Sequence, residues 1–427
     1  MKPEFHDLPN GTRLAVARND HLHSTVVMAG VKVGSRNEPE GMHGAAHFVE
    51  HVLFKGTERR PSSKEISGLI ESRGGHSNAW TDKEMTAFHV LMSRHDGRIA
   101  VDVVHDMMEN ALFRSSDVEK ERSVIREETS MRDNDPDSCV WELSEEVKYA
   151  GTGLARRVIG DGEISFSAKS LRKFFKDHYV PSRTLVVLAG AVDDRLVAMA
   201  ISKFGDMEAN PFEGVDEIPS PPFVQVYPRK PIEHSFKEGN TDRLHIVIRF
   251  PGIPESHPDS YAISLLSMAL GGYSSARLFQ SVRETKGLCY GIGSGVHGYS
   301  DAGSLYVSTS IDRPKLGATL KAILKEVADV RKYGLKADEL KNAKTHWRGA
   351  ATLELDDPMS VSTDVVRKIF TNGRYEGREE EIEKLMKIRT SDIAEVAKRY
   401  LVESRMHISI VGPKAARKEV TETFVGL

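Results

Sequence analysis

The chain has 427 residues, with 59 lysines and arginines against 62 aspartates and glutamates and a formal net charge of −3, so no bulk field draws it to nucleic acid or anionic lipid. At 39% hydrophobic and 28% charged it has an ordinary soluble composition, and it is longer than one hydrophobic core usually supports, which sets the expectation at two domains. Its only cysteines, Cys139 and Cys289, are too few for a disulfide framework or a thiolate zinc site and fit a reducing compartment.

The amino-terminal residues MKPEFHDLPNG lack the basic region and apolar run of a secretory signal, and no later segment reaches about 18 uncharged apolar residues. The expected location is cytoplasmic, with neither a membrane nor a nucleic acid as partner. The segment HGAAHFVEHVLFKGT then spaces His47, Glu50 and His51 as H-x-x-E-H. On a helix His47 and His51 fall one turn apart on one face with Glu50 beside them. Two such imidazoles can hold one Zn²⁺, and the glutamate is placed to take a proton from water rather than to bind the metal.

The alternating run TAFHVLMS (Thr86 to Ser93) predicts a strand, and RIAVDVVHDMMENALF after it predicts a helix. A second, acidic helix follows in SSDVEKERSVIREETSMRDNDP, opened by the cap signals Ser116 and Asp117. A catalytic zinc needs a third protein ligand and an open position. Glu121 and Glu128 lie two turns apart on this helix with about 20° of drift, so one can ligate while the other polarises or positions.

Prolines concentrate from Asn210 to Pro231, which divides the chain into expected domains 1–212 and 232–427 joined by a linker, 213–231. The halves repeat one another. The strand, helix, turn and helix that begin at Thr86 return from Leu305, and HYVPSRTLVVLAG returns as RYLVESRMHISIVG, both at an offset of about 220 residues. The predicted class is α+β: two similar domains, each a mostly antiparallel sheet with helices on one face. At that offset Glu121 and Glu128 fall near Asn342 and Gly349, and H-x-x-E-H does not recur, so only the first half would hold metal.

Taken together, GSRNEPEGMHGAAHFVEHVLFKGT, GGHSNAWTDKEMTAFHV and EKERSVIREETSMRDNDPD resemble the catalytic half of the M16 (pitrilysin-like, inverzincin) metallopeptidases. The likeness is near to the mitochondrial processing peptidase β-subunit and its bacterial relatives. It implies a LuxS/M16-like metalloenzyme fold and a zinc endopeptidase with one Zn²⁺ per chain. In that family the third ligand follows the last histidine after about 76 residues, which falls on Glu128 rather than Glu127, and the accessory glutamate falls on Glu121. LGGYSSARLFQSVRETKGLCYGIGS resembles the segment whose arginine and tyrosine reach the active site, here Arg283 and Tyr290. A tyrosine hydroxyl can donate to an oxyanion, and an arginine can hold a carbonyl or carboxylate. The resemblance also implies a substrate-binding edge strand around Ser77 to Thr81, with Asn78 and Ala79 as the backbone contact pair.

Two departures stand out. Gly271-Gly272 is followed by Tyr273 where the family often has a third glycine, and Cys289 replaces a small residue beside Tyr290. Family members of this length work as dimers around a closed chamber, so the expected partners are a peptide or unfolded polypeptide and a second copy, with a heterodimer as the alternative. The competing functions are a non-catalytic assembly subunit of the same fold and a metal-dependent amidohydrolase acting on a non-peptide substrate.

Overall fold

The computed structural model describes residues 2–162, 165–209 and 233–425, and they gather into two compact units. In chain order the first half forms β1 (Glu4–Asp7), β2 (Arg13–Arg18), β3 (Ser24–Val31), α1 (Ala45–Leu53), α2 (Ser63–Glu71), β4 (His76–Thr81), β5 (Thr86–Ser93), α3 (Gly97–Asn110), α4 (Ser115–Asn134), α5 (Pro136–Lys148), α6 (Ala168–His178), β6 (Thr184–Gly190) and α7 (Asp194–Gly205). The second half forms β7 (Glu233–Glu238), β8 (Arg243–Pro251), α8 (Ser260–Gly271), a π-helical segment (Phe279–Thr285), β9 (Ile292–Gly298), β10 (Gly303–Asp312), α9 (Leu316–Tyr333), α10 (Ala337–Glu354), α11 (Pro358–Asn372), α12 (Arg378–Lys387), α13 (Thr390–Tyr400), β11 (His407–Gly412) and α14 (Arg417–Val425). The expected linker, 213–231, lies outside the described residues.

The first sheet runs β1-β2-β6-β3-β5-β4 and the second β7-β11-β8-β10-β9. Without β1 the two orders match strand for strand. The single parallel pair of each sheet, β2 with β6 and β7 with β11, also falls at the same place, and the other pairs are antiparallel. This is the duplicated, mostly antiparallel α+β architecture that the sequence repeats predict.

The units are not the two contiguous stretches of sequence. The first takes in 352–377 from the second half, and the second takes in 130–151 from the first. The side-chain alternation of the strands shows why. In β3, Val27, Ala29 and Val31 belong to the core beneath α1, α2, α3, α6 and α7, while Val26 and Met28 face the other way. That second apolar face is covered by α11, whose Val361, Val365, Val366 and Phe370 pack on Ala15, Ala17, Met28 and Val187. Gly30 lets α11 come close, because a Cβ there would lie 2.5 Å from Val366. Reciprocally, α5 covers the outer face of the second sheet with Cys139 and Val140 against Val247 and Val411. There the contact is partly polar: Arg249, 1% exposed, donates to Ser144 and Ser304 at 2.8 Å each and pairs with Glu145 at 3.4 Å.

The helices that each half keeps therefore lie on one face of its sheet, as expected, and the exchanged helix closes the other. Both exchanged helices begin with the same cap. Asp135 accepts from the Ser138 backbone and hydroxyl at 3.0 and 2.6 Å, and Asp357 from those of Ser360 at 3.0 and 2.7 Å, each ahead of a proline at the first helical position. Among the described residues no helix is long and apolar enough to cross a membrane.

Candidate metal centre

The centre is built on α1 and α4 of the first unit. Ala45, Ala46, Phe48, Val49, Val52 and Leu53 bury the core face of α1, so its 3.6-residue period carries His47 and His51 onto the remaining face. Their rings sit 4.7 Å apart, centroid to centroid. The helix starts at Gly44, in the left-handed region at φ 90°, where a Cβ would come within 2.9 Å of the Ile159 carbonyl oxygen. No side chain at that position caps the helix. The carboxylate of Glu38 does so instead, accepting from Gly44 N–H and Ala46 N–H at 2.8 Å each. Burial pushes the Glu38 carboxyl up to about 8, against the pull of these two N–H groups and of Arg156.

On α4, Val118 and Ile125 anchor the helix in the core, and Glu121 and Glu128 share its adjoining face. Glu128 Oε2 lies 3.6 Å from Nε2 of His47 and 3.6 Å from Nε2 of His51. One donor atom from each of the three falls within 4.8 Å of the others, the only such group among the described residues. Glu127 is exposed. Two imidazole nitrogens and one carboxylate oxygen form the donor set of a catalytic zinc with one position left open, so the residues fit that metal.

The electrostatics favour a cation. Burial would lower the pKa of His51, but hydrogen bonds to Glu121 and Glu128 and the charge of Glu50 outweigh it and raise the group to about 9. Glu121 stands outside the donor set. It lies 3.1 Å from His51 Nδ1 and 2.7 Å from Lys55 Nζ, and these two partners hold its carboxyl low despite the opposing effect of burial. With Nδ1 engaged, His51 turns Nε2 toward Glu128.

Glu50, between the two histidines in sequence, accepts a 2.5 Å hydrogen bond from the Thr81 hydroxyl of β4. That strand closes one edge of the sheet. The turn bond from Asp82 N–H to the Met85 carbonyl, 2.8 Å, fixes the alternation of the β4–β5 ladder. Asn78 accordingly directs its backbone groups to His89, while Ser77, Ala79 and Thr81 direct theirs to the open edge. Of the expected contact pair, then, Ala79 turns its peptide groups to the open edge, where its N–H is already bonded, and Asn78 turns its own to β5. Asn78 instead caps the Ala79 N–H with its side chain at 2.9 Å.

Arg283 and Tyr290 belong to the second unit. Arg283 lies in the π-helical segment, its guanidinium 5.1 Å from the Tyr290 ring centroid and 4.4 Å from that of Phe279, and Tyr290 is 80% exposed. Asn342, at the repeat position of Glu121, lies on α10 and carries no charge. Glu38 and Lys55 do not stand out in the sequence, and Thr81 does so only as the end of the expected edge strand, not as a partner of Glu50. Lys55 follows the last turn of α1, where its N–H bonds Val52 O at 2.9 Å, and no spacing along a single element points to it.

The insulinase (peptidase family M16) model matches residues 13–162, and the peptidase M16 inactive domain model matches residues 165–346. An uncharacterized zinc protease of Streptomyces coelicolor is 31% identical over 95% of this chain and 88% of its own length. An uncharacterized zinc protease of Mycobacterium leprae is 32% identical over 96% of this chain and 92% of its own. Among solved structures, a protease from Helicobacter pylori aligns with a TM-score of 0.86 at 20% identity, covering 96% of this chain and 100% of that one. With these relatives and this fold, the chain belongs to the peptidase M16 family.

Proposed function

We propose that the chain is a zinc-dependent endopeptidase acting on peptides or unfolded segments. The observation that carries this reading is the convergence of His47, His51 and Glu128 on one point, with Glu50 adjacent on the same helix. His47, His51 and Glu128 would hold the zinc, which when bound supplies Lewis acidity to the scissile carbonyl and to water. Glu50 accepts the proton of the attacking water and returns it to the leaving amine, and the Thr81 hydroxyl holds the carboxylate for that transfer. Glu121, supported by Lys55, keeps His51 in the ligating orientation. An extended substrate adds to the open edge of β4 through the peptide groups of Ser77 and Thr81 and the carbonyl of Ala79, whose N–H is held by Asn78, a mode that tolerates many sequences.

The sequence resemblance further supports Tyr290 as donor to the oxyanion and Arg283 as the group that orients the substrate. Their contact with one another is consistent with paired action. The same resemblance supports a homodimer enclosing a chamber, with a heterodimer as the alternative, and sedimentation of the active species distinguishes these from a monomer. Free, buried Cys139 and Cys289 are consistent with a cytoplasmic enzyme.

The test is incubation of wild type and Glu50→Gln with a mixed peptide library, with the products identified by mass spectrometry. The reading expects defined internal cleavages from wild type only. Intact peptides in both samples, together with absence of zinc from the purified protein, would favour an assembly subunit of the same fold.

A further inference from the structure

Glu38 is fully buried, and both of its carboxylate oxygens are bonded to the first turn of α1. We propose that Glu38 is a positioning residue of the metal centre, fixing the turn of α1 from which His47 projects. The inference rests on the reading of His47, His51 and Glu128 as the zinc ligands.

A helix start leaves its first N–H groups without partners, and a side chain at the N-cap usually takes one of them. Gly44 cannot, and the Ile159 carbonyl oxygen excludes any larger residue there. Met42 O accepts from Ala45 N–H at 3.0 Å, and the two oxygens of Glu38 take the N–H groups on either side of it. His47 is the next residue in the same turn. Each oxygen of Glu38 meets one of these N–H groups, so rotation or withdrawal of this turn would break at least one contact inside a dry environment.

Glu38 is itself braced. The Arg156 guanidinium donates to the Glu38 carbonyl oxygen, and the Lys83 ammonium donates to the Arg156 carbonyl oxygen. Arg36 N–H bonds Lys83 O at 2.9 Å, and Ser35 N–H bonds Asp82 O at 3.1 Å. The turn between β4 and β5 therefore supports the ligand helix at its start through Glu38. Thr81, at the end of β4 next to this turn, holds Glu50 in the following turn of the helix. Burying a carboxyl group is unfavourable unless its oxygens are bonded, and both oxygens of Glu38 spend their bonds on the turn that precedes His47.

Glu38→Gln tests this. Glutamine keeps the shape and one acceptor but turns an NH₂ group toward the second N–H. Three quantities are measured on metal-stripped protein: zinc affinity by competition with a chromophoric chelator, the visible spectrum of the Co²⁺-loaded form, and the thermal midpoint. Asp106→Asn is the control, since Asp106 is an equally buried carboxylate that binds Thr57 at 2.6 Å and Arg60. Glu38→Gln is expected to bind zinc about tenfold more weakly and to change the Co²⁺ spectrum. Asp106→Asn is expected to lower only the thermal midpoint.

Wild-type zinc affinity and an unchanged Co²⁺ spectrum in Glu38→Gln would overturn the inference while leaving the zinc-site reading intact. Failure of wild type itself to bind zinc would overturn both. If Glu38→Gln does not fold, Glu38→Asp, which keeps the charge at shorter reach, is measured in its place. Weaker zinc binding with a shifted spectrum then supports the role, and wild-type values contradict it.

Discussion

His51 Nδ1 lies 3.1 Å from Oε2 of Glu121, while Nε2 of the same ring lies 3.6 Å from Oε2 of Glu128, so the two glutamates meet opposite sides of one imidazole. A carboxylate engaged by an imidazole N–H on one oxygen and by the Lys55 ammonium at 2.7 Å on the other orients a ligand rather than acting as one. Glu121→Gln should therefore weaken zinc binding by roughly 10–100-fold without abolishing it. Glu127→Gln, on the exposed side of α4, should bind zinc as wild type does. Chelator competition on both variants checks this, and equal losses would refute the assignment.

The same bond gives the metal-free centre a pH signature. Burial alone would lower the His51 pKa, yet the carboxylates of Glu121, Glu128 and Glu50 raise it from 6.5 to about 9. Because the folded value is the higher one, the stabilisation from His51 is complete below about 6.5 and is lost as pH rises through about 9. Zinc must displace this proton, so its apparent affinity should climb with pH up to about 9 and level off above it, with proton release below that value. Calorimetric titrations in buffers of different ionisation enthalpy measure the release directly. A flat affinity and no released proton would show that His51 is neutral before the metal binds.

Thr81 donates to Glu50 at 2.5 Å. Thr81→Val preserves the shape and β-branching of the strand residue while removing the hydroxyl. Zinc content should be unchanged, and kcat should fall by about tenfold, the scale expected when a general base loses its orientation. Steady-state kinetics alongside metal analysis check this. An unchanged kcat would mean that Glu50 is oriented by other groups.

Gly30 and Val366 test the exchange of helices. The Cβ of Gly30→Ala would lie 2.5 Å from Val366 Cγ1, so that substitution should destabilise the protein by about 1–3 kcal/mol. In the double variant with Val366→Ala the clash is relieved, and the combined loss should be smaller than the sum of the single losses. Denaturant titrations of the four proteins give the coupling. Simple additivity would mean that α11 does not pack on β3 in solution.

The parts that were legible in the sequence are those set by spacing along one element. His47 and His51 are one turn apart, and Glu121 and Glu128 two turns apart, so a helical period alone places each pair on one face, whatever the rest of the fold does. Arg283 and Tyr290 were legible only through the resemblance, because an arginine and a tyrosine near a glycine have no spacing that demands an active site. Glu38 escaped because its carboxylate folds back over six residues of irregular chain to reach Gly44, and no period describes that path. Thr81 escaped for a similar reason: a strand threonine points to one face or the other, and the fold alone determines that this face holds Glu50. The exchanged helices were concealed by their ordinary amphipathic patterns. Their shared Asp-Pro-x-Ser opening, at Asp135 and again at Asp357, was the available signal that the two occupy equivalent places.

The proposed function stands or falls with proton transfer by Glu50 at a zinc held by His47, His51 and Glu128. The most direct measurement is the peptide-hydrolysis rate of Glu50→Gln, taken on a preparation whose zinc content is determined in parallel with wild type. One zinc per chain in both proteins and hydrolysis by wild type alone is the expected result. A zinc-loaded Glu50→Gln protein that cleaves peptides at the wild-type rate would contradict it.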